Sequence, residues 1–276
     1  MKKGIYIVAT PIGNLGDISK RALEVLQSAD VVACEDTRVT KKLFNLLGLD
    51  THKEFLRLED HNEAEQSQKL VEKALSGHVI AQVSDAGSPL ISDPGYKLIR
   101  ACKKNGVDVY AIPGPCALIC ALQLSGLPTN SFMFAGFIPN KDKARKDVFQ
   151  KLQHIDTTLI FYETSNRLLK SLSAMSDVFK EREVSVAREI TKIYEECKNG
   201  TAAELFSYYS ENEPKGEIVV MVAPPSKQPL ADINIEDIVR QELQENSLKT
   251  AVKNIVNKYK LNKKMVYDLA LRIKDE

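Results

Sequence analysis

The sequence predicts an α/β protein of two domains followed by a small helical appendage, on three observations. Short β-branched or aromatic runs alternate with segments of helical periodicity; a second series of such runs begins after Gly126-Leu127-Pro128; and the composition changes beyond the proline-rich stretch 224–229. Two domains suit the 276 residues, since a domain usually holds roughly 100 to 200.

The first series of runs is 5–9, 31–34, 79–83 and 107–112. Strands separated by helices imply a parallel sheet covered on its faces. Asp17 is placed to cap a helix with the apolar stripe Ile18, Ala22, Leu23, Val25 and Leu26, and Thr37 precedes a second helix that ends at Gly48. The second series is 131–138, 158–162, 184–187 and 217–222. The expected boundaries are therefore 1–113, 114–225 and 226–276, with a ligand cleft between the first two parts. In the last part, Ile235, Ile238, Val239 and Leu243 share one helical face. Leu248, Ala251, Val252, Ile255, Val256 and Tyr259 share another, and Met265, Leu269 and Ile273 a third, with Asn262 as a cap. This reads as three helices of helix-turn-helix character.

Composition excludes several classes. Hydrophobic residues at 43% and charged residues at 27% are those of a globular chain. No apolar run approaches the roughly 18 residues of a membrane-spanning helix, and the first residues lead into strand-like sequence, so a cytoplasmic protein without membrane contact is expected. The five cysteines lie mostly in apolar runs without a Cys-x-x-Cys pair, and no two of the four histidines have metal-ligand spacing. Buried reduced thiols and no metal are expected.

Three turns carry the strongest physical signal. Residues 10–17, 84–95 and 113–117 each follow a strand and are rich in glycine and proline, so that backbone can approach a small ligand. The first matches neither the dinucleotide nor the P-loop fingerprint. The second holds two acids, three serines, two glycines and two prolines, more than a βα connection of about 2 to 6 residues needs; within it Asp93 is expected to cap the helix beginning at Pro94. Asp36, Thr37 and Ser165, at other strand ends, read equally as caps and as functional groups. Two segments are locally basic: 141–151, with five basic residues against two acids, and 247–274, with eight against one. An excess this one-sided fits a nucleic-acid partner.

The stretches Ala9-Thr10-Pro11-Ile12-Gly13-Asn14-Leu15-Gly16-Asp17-Ile18, Cys34-Glu35-Asp36-Thr37-Arg38, 84–95, 113–117, Gly136-Phe137-Ile138-Pro139 and Lys215-Gly216-Glu217 resemble, in order from about residue 4 to 225, the tetrapyrrole methylase-like (class III methyltransferase) family. Where tetrapyrrole-modifying members carry a Gly-Asp-Pro turn this chain has Asp85-Ala86-Gly87-Ser88-Pro89, which is similar to the branch acting on ribosomal RNA. The resemblance implies a homodimer that binds S-adenosylmethionine in the cleft and 2'-O-methylates a cytidine in the decoding region of 16S ribosomal RNA within a small-subunit particle. It implies donor contacts from Pro11, Asp85, Ala86, Gly87, Ser88, Ile91, Cys116, Ala117, Tyr162, Ala187 and Gly216. Transfer to a hydroxyl calls for a base or a stabilising cation. Glu35, Asp85 and Glu189 are the candidate bases, and Arg38 and Lys192 the candidates to orient the acceptor. Lys141, Lys143, Arg145 and Lys146, with Lys258, Lys260, Lys263 and Lys264, would supply phosphate contacts. The rival readings are a small-molecule acceptor, such as a tetrapyrrole, and a non-catalytic ribosome- or RNA-binding protein.

Overall fold

The computed structural model describes residues 1–226, 235–259 and 261–275, with the backbone alone for Asn257, Lys258 and Asp275. Residues Met1–Pro225 form one compact unit and Ser226–Glu276 another.

The first unit contains two five-stranded sheets. In the first, β1 (Gly4–Val8), β2 (Val31–Cys34), β3 (Glu54–Arg57), β4 (Val79–Gln82) and β5 (Val109–Ile112) lie in the order β3-β2-β4-β1-β5. All neighbours are parallel. Successive side chains of a strand point to opposite faces. Thus Tyr6 and Val8 join a core with Ala22, Val25 and Leu26 of α1 (Lys20–Ser28) and Phe44 of α2 (Thr37–Leu46). Ile5 joins the opposite core, with Leu70 of α3 (Glu63–Leu75) and Leu98 of α4 (Tyr96–Lys104). The central neighbours β1 and β4 therefore send their following helices to opposite faces, which opens a crevice at their carboxyl ends.

Strand β3 was not expected from the sequence. Its four residues, Glu-Phe-Leu-Arg, lack β-branched side chains and carry charges at both ends, as suits a short edge strand. The helix ends also differ from expectation. Asp17 lies in a 3-10 turn, Leu15–Asp17, capped by Asn14, while Ser19 caps α1 through Ala22 N–H at 3.1 Å. Of the three residues read equally as caps, Asp36 does cap α2, whereas Thr37 and Ser165 are the first residues of α2 and α7.

Asp93 does not cap α4 either. Glu63 reaches across from α3, its Oε1 accepting from the N–H groups of Gly95 at 2.9 Å and Lys97 at 2.7 Å. Gly95 has φ +134°, and a Cβ there would lie 2.1 Å from Gln82 Nε2 and 2.9 Å from Leu90 Cδ1. Gly95→Ala is thus expected to destabilise the protein by at least about 1–3 kcal/mol from backbone strain alone; an unchanged urea midpoint would refute this.

The second sheet comprises β6 (Phe132–Phe137), β7 (Thr158–Thr164), β8 (Glu183–Arg188), β9 (Glu196–Thr201) and β10 (Glu217–Val222), ordered β6-β7-β10-β8-β9. Only β6 and β7 are parallel to each other; the remaining pairs are antiparallel. Strand β9, Glu-Cys-Lys-Asn-Gly-Thr, is polar and also lies at an edge, so hydrophobic patterning gave no sign of it. Helices α6 (Asp142–Leu152), α7 (Ser165–Phe179) and α8 (Ala202–Glu211) cover one face, through Phe149, Leu168, Leu172 and Leu205. The other face packs on α5 (Ala117–Leu124). Ile12, from the turn after β1, is buried in that same core.

In the second unit α9 (Ile235–Glu245), α10 (Leu248–Tyr259) and α11 (Lys263–Asp275) bury Val239, Val252, Ile255, Val266 and Ala270. Of the stripe expected on α11, Leu269 and Ile273 pack against this core, while Met265 is exposed and Val266 and Ala270 are buried in it. Asn262 caps α11, its Oδ1 accepting from Lys264 N–H at 2.9 Å and Met265 N–H at 3.3 Å. No helix among the described residues is long and apolar enough to cross a membrane.

Candidate active site

The three glycine- and proline-rich turns are hydrogen-bonded to one another. Thr10 N–H donates to the Gly87 carbonyl at 2.9 Å, and Gly87 N–H to the Thr10 carbonyl at 3.0 Å. The Thr10 hydroxyl donates to the Ser84 carbonyl at 3.2 Å and Ser88 Oγ to the Pro115 carbonyl at 3.1 Å. Backbone groups that a loose loop would leave to water are thereby paired, and residues some 75 positions apart become one wall.

That wall borders a cavity of about 440 Å³. Ile12, residues 85–88, Ile91, Ser92, Asp93 and Ala117 form the near side, with Glu35 from beyond β2; Phe137, Tyr162, Glu163, Thr164, Ile190 and residues 216–219 form the far side. Of the expected donor contacts, Asp85, Ala86, Gly87, Ser88, Ile91, Ala117, Tyr162 and Gly216 line it. Pro11, Cys116 and Ala187 are not in the lining. Pro11 is half-buried beside Ile12, while Ala187 is buried in the core on α5 and Cys116 packs against that core.

The acids at the near side share a field. Burial raises the Glu35 carboxyl above its usual range, and the negative charges of Asp85 and Asp93 raise it further. Burial raises Asp85 as well, opposed by the Asp36 N–H that donates to its Oδ1 at 3.1 Å. Asp93 is raised by burial, against a hydrogen bond from Ser84. Carboxyls so placed hold a proton more readily than in water. Asp93, read from the sequence as a cap, is thus part of the cavity wall.

The other candidate catalytic groups lie outside the lining. Arg38 is exposed and clasped by its neighbour Asp36, Nη2 to Oδ2 at 2.6 Å. Glu189 pairs with Lys192 at 2.8 Å and is held below its usual range by that ammonium. Lys192 also meets Glu217 at 3.1 Å, and its stem lies against the backbone of Gly13. These two charges brace the turn after β8 against the first turn and the cavity rim.

Glu163 and Phe137 are lining residues that the sequence reading did not single out. The Glu163 side chain is fully buried; its Oε1 accepts from Thr164 N–H at 2.8 Å and from Arg167 Nε at 2.7 Å, while Oε2 accepts from Ser171. The signal in the sequence was the spacing, since positions 167 and 171 fall on one face of α7, in line with Glu163 at the end of β7. Tyr162 is wedged between Phe134, at 4.8 Å, and Phe137, at 5.4 Å between ring centroids, and burial pushes its hydroxyl up to about 12.

Among the expected phosphate contacts, Lys141, Lys143, Lys146, Lys263 and Lys264 are exposed, Lys146 pairing with Asp177 at 2.8 Å. Arg145 is a correction. Its side chain is only 2% exposed, held by Asp142 at 2.8 Å and by the Asn140 carbonyl at 2.8 Å, so it anchors the start of α6 and offers no guanidinium to a phosphate. Lys260 lies outside the described residues, as does the Lys258 side chain. Among the described residues no group of histidine, cysteine and acidic side chains is arranged to hold a metal ion.

Two α/β sheets with a small-molecule cavity walled by strand-end turns define a class, and residues 4–205 match the sequence model of the Tetrapyrrole (Corrin/Porphyrin) Methylases. Solved structures share the fold. A diphthine synthase superposes with a TM-score of 0.62 at 20% identity, covering 79% of this chain and 89% of the other. A cobalt precorrin-4 methyltransferase gives 0.57 at 18% identity, covering 79% and 94%. Full-length relatives are much more similar. The ribosomal RNA small subunit methyltransferase I of Erythrobacter litoralis is 49% identical, covering 99% of this chain and 96% of the relative. That of Vibrio cholerae is 47% identical, covering 97% and 94%. The chain belongs to the ribosomal RNA small subunit methyltransferase I family.

Proposed function

We propose that this protein transfers a methyl group from S-adenosylmethionine to the ribose 2'-hydroxyl of a cytidine in 16S ribosomal RNA near the decoding centre. The observation that carries the reading is the stitched wall of three turns around a cavity of about 440 Å³, a size within the usual small-molecule range of about 300–1,000 Å³. The lining fits the donor. Ile12, Ala86, Ile91 and Ala117 offer apolar surface, and Glu35, Asp85 and Asp93 offer negative charge to a ligand that is cationic. When bound, the donor would supply a sulfonium methyl to an oxygen nucleophile, the C–S bond breaking in line and the neutral thioether leaving as the C–O bond forms.

The chain has then to align the hydroxyl and remove its proton. Alignment alone is worth effective molarities of about 10⁵ M or more, and a fixed wall serves it better than a mobile loop. For the proton, Glu35 is the best-placed carboxylate. It lines the cavity, and burial together with its acidic neighbours raises its basicity. Asp85, already engaged by the Asp36 amide, shapes the field around it. Exposed Lys141 and Lys143 on the first unit, and Lys263 and Lys264 on the second, suit a polyanionic acceptor. A cytoplasmic homodimer acting on a small-subunit particle accords with the same reading; Phe132 and Met133, exposed on the edge strand β6, suit a second copy.

Incubating the protein with unmethylated small ribosomal subunits and S-adenosylmethionine, then mapping alkali-resistant 2'-O-methyls, is expected to reveal one new methyl on a cytidine near the decoding centre. Donor binding with no methyl on any RNA would defeat the reading in favour of a binding protein. Methylation of a tetrapyrrole instead would move the acceptor to small molecules.

A further inference from the structure

Edge strand β6 contains an irregularity at the mouth of the cavity. Its register against β7 shifts between Phe134 and Phe137, and Gly136 there has φ +72° with nothing within 4 Å of a Cβ. The backbone conformation, not space, calls for glycine. In a regular strand residues three apart point to opposite faces. Here Phe134 and Phe137 both meet the ring of Tyr162. The bulge has re-aimed Phe137, as bulges beside active sites do.

The re-aimed ring lines the cavity yet is 54% exposed. A ring serving only to pack would be expected to bury more of its surface, and a bulge with a left-handed glycine is a specific device to leave it there. Its inner neighbour Tyr162 holds it edge to face, with 64° between the planes. Four and six residues on, Lys141 and Lys143 stand exposed at the start of α6, so an aromatic surface and phosphate-binding charge follow one another along a single connection.

We propose that Phe137 is a stacking platform for an unpaired nucleobase of the RNA acceptor, either the target base itself or its neighbour, and so a positioning residue for methyl transfer. This rests on the function proposed above. Bases lifted out of a helix are commonly received on aromatic side chains.

The test measures S-adenosylmethionine affinity by calorimetry, and the KM for small ribosomal subunits together with its salt dependence, for the full-length wild type, Phe137→Leu and Phe137→Trp. Phe137→Leu is expected to raise the subunit KM about tenfold, with donor affinity changed by less than about twofold and the salt slope unaltered, because the stack carries no charge. Phe137→Trp is expected to keep the wild-type KM. A loss of donor affinity equal to the loss in KM would make Phe137 a wall of the donor pocket and overturn the proposal. Wild-type behaviour of Phe137→Leu in both measurements would overturn it too. Failure of the wild type itself to methylate RNA would instead bring down the function on which the proposal rests, so the two failures are distinct.

Discussion

Glu35→Gln is expected to lower the rate of methyl transfer by about 10²–10⁴-fold, the usual contribution of a positioned general base. Glutamine keeps the shape and removes the proton acceptor. Donor affinity should change little, because Asp85 and Asp93 remain in the lining. The pH profile supplies a second readout. A base works only when ionised, and the Glu35 carboxyl is raised above its ordinary value by burial and by its acidic neighbours. The wild-type rate should therefore fall on acidification at a higher pH than an unperturbed carboxylate would give, and the residual rate of Glu35→Gln should lose that limb. Stability should move the other way. The stability contributed by a carboxyl with a raised folded-state value is fully present below its unfolded value and is lost as the pH rises through the folded one. At neutral pH its charge thus weakens the fold, and Glu35→Gln should melt no lower than the wild type. A full rate in Glu35→Gln would pass the role to Asp85, tested in the same way by Asp85→Asn.

Glu163→Ala is expected to be the most destabilising single change, costing about 3–5 kcal/mol, the range for removing one member of a buried ion pair. Its carboxylate is fully enclosed and serves Arg167, Ser171 and the Thr164 amide together. Removing it strands a partly buried guanidinium and a buried hydroxyl. For a unit of this size the loss corresponds to a fall on the order of 10 °C in melting temperature. Arg167 also donates to the Ile138 carbonyl at 2.7 Å, directly after Phe137, so the cavity's far wall should loosen as well. The double replacement Glu163→Met with Arg167→Met distinguishes a paired charge from simple packing. Apolar substitutes for a buried pair are often neutral, so the double variant should recover much of the stability lost by Glu163→Ala. Melting of Glu163→Ala within about 2 °C of the wild type would show that the pair does not hold the β7–α7 junction.

Hydrophobic patterning by itself determined the α/β class, the eight strands with apolar runs and the three helices of the second unit, because buried strands and amphipathic helices must write their periodicity into the chain. The three turns were legible for a related reason: glycine and proline mark backbone that ordinary residues cannot adopt. Strands β3 and β9 were not legible, since edge strands bury little and can be polar. Caps were misassigned locally where a neighbouring side chain took the role, as Ser19 does for α1, and more fully where the partner came from elsewhere, as Glu63 does for α4. Tertiary structure alone decided which charges face the cavity. Glu35 and the two acids of one turn, Asp85 and Asp93, converge there from separate stretches of chain, whereas the carboxylate of the lining residue Glu163 is turned to Arg167 and Ser171. Glu189 and Lys192 neutralise each other at its rim, and Arg145, one of a run of basic residues, turns inward. A charge in a sequence has a sign but no direction, and the direction is set by packing between segments far apart in the chain.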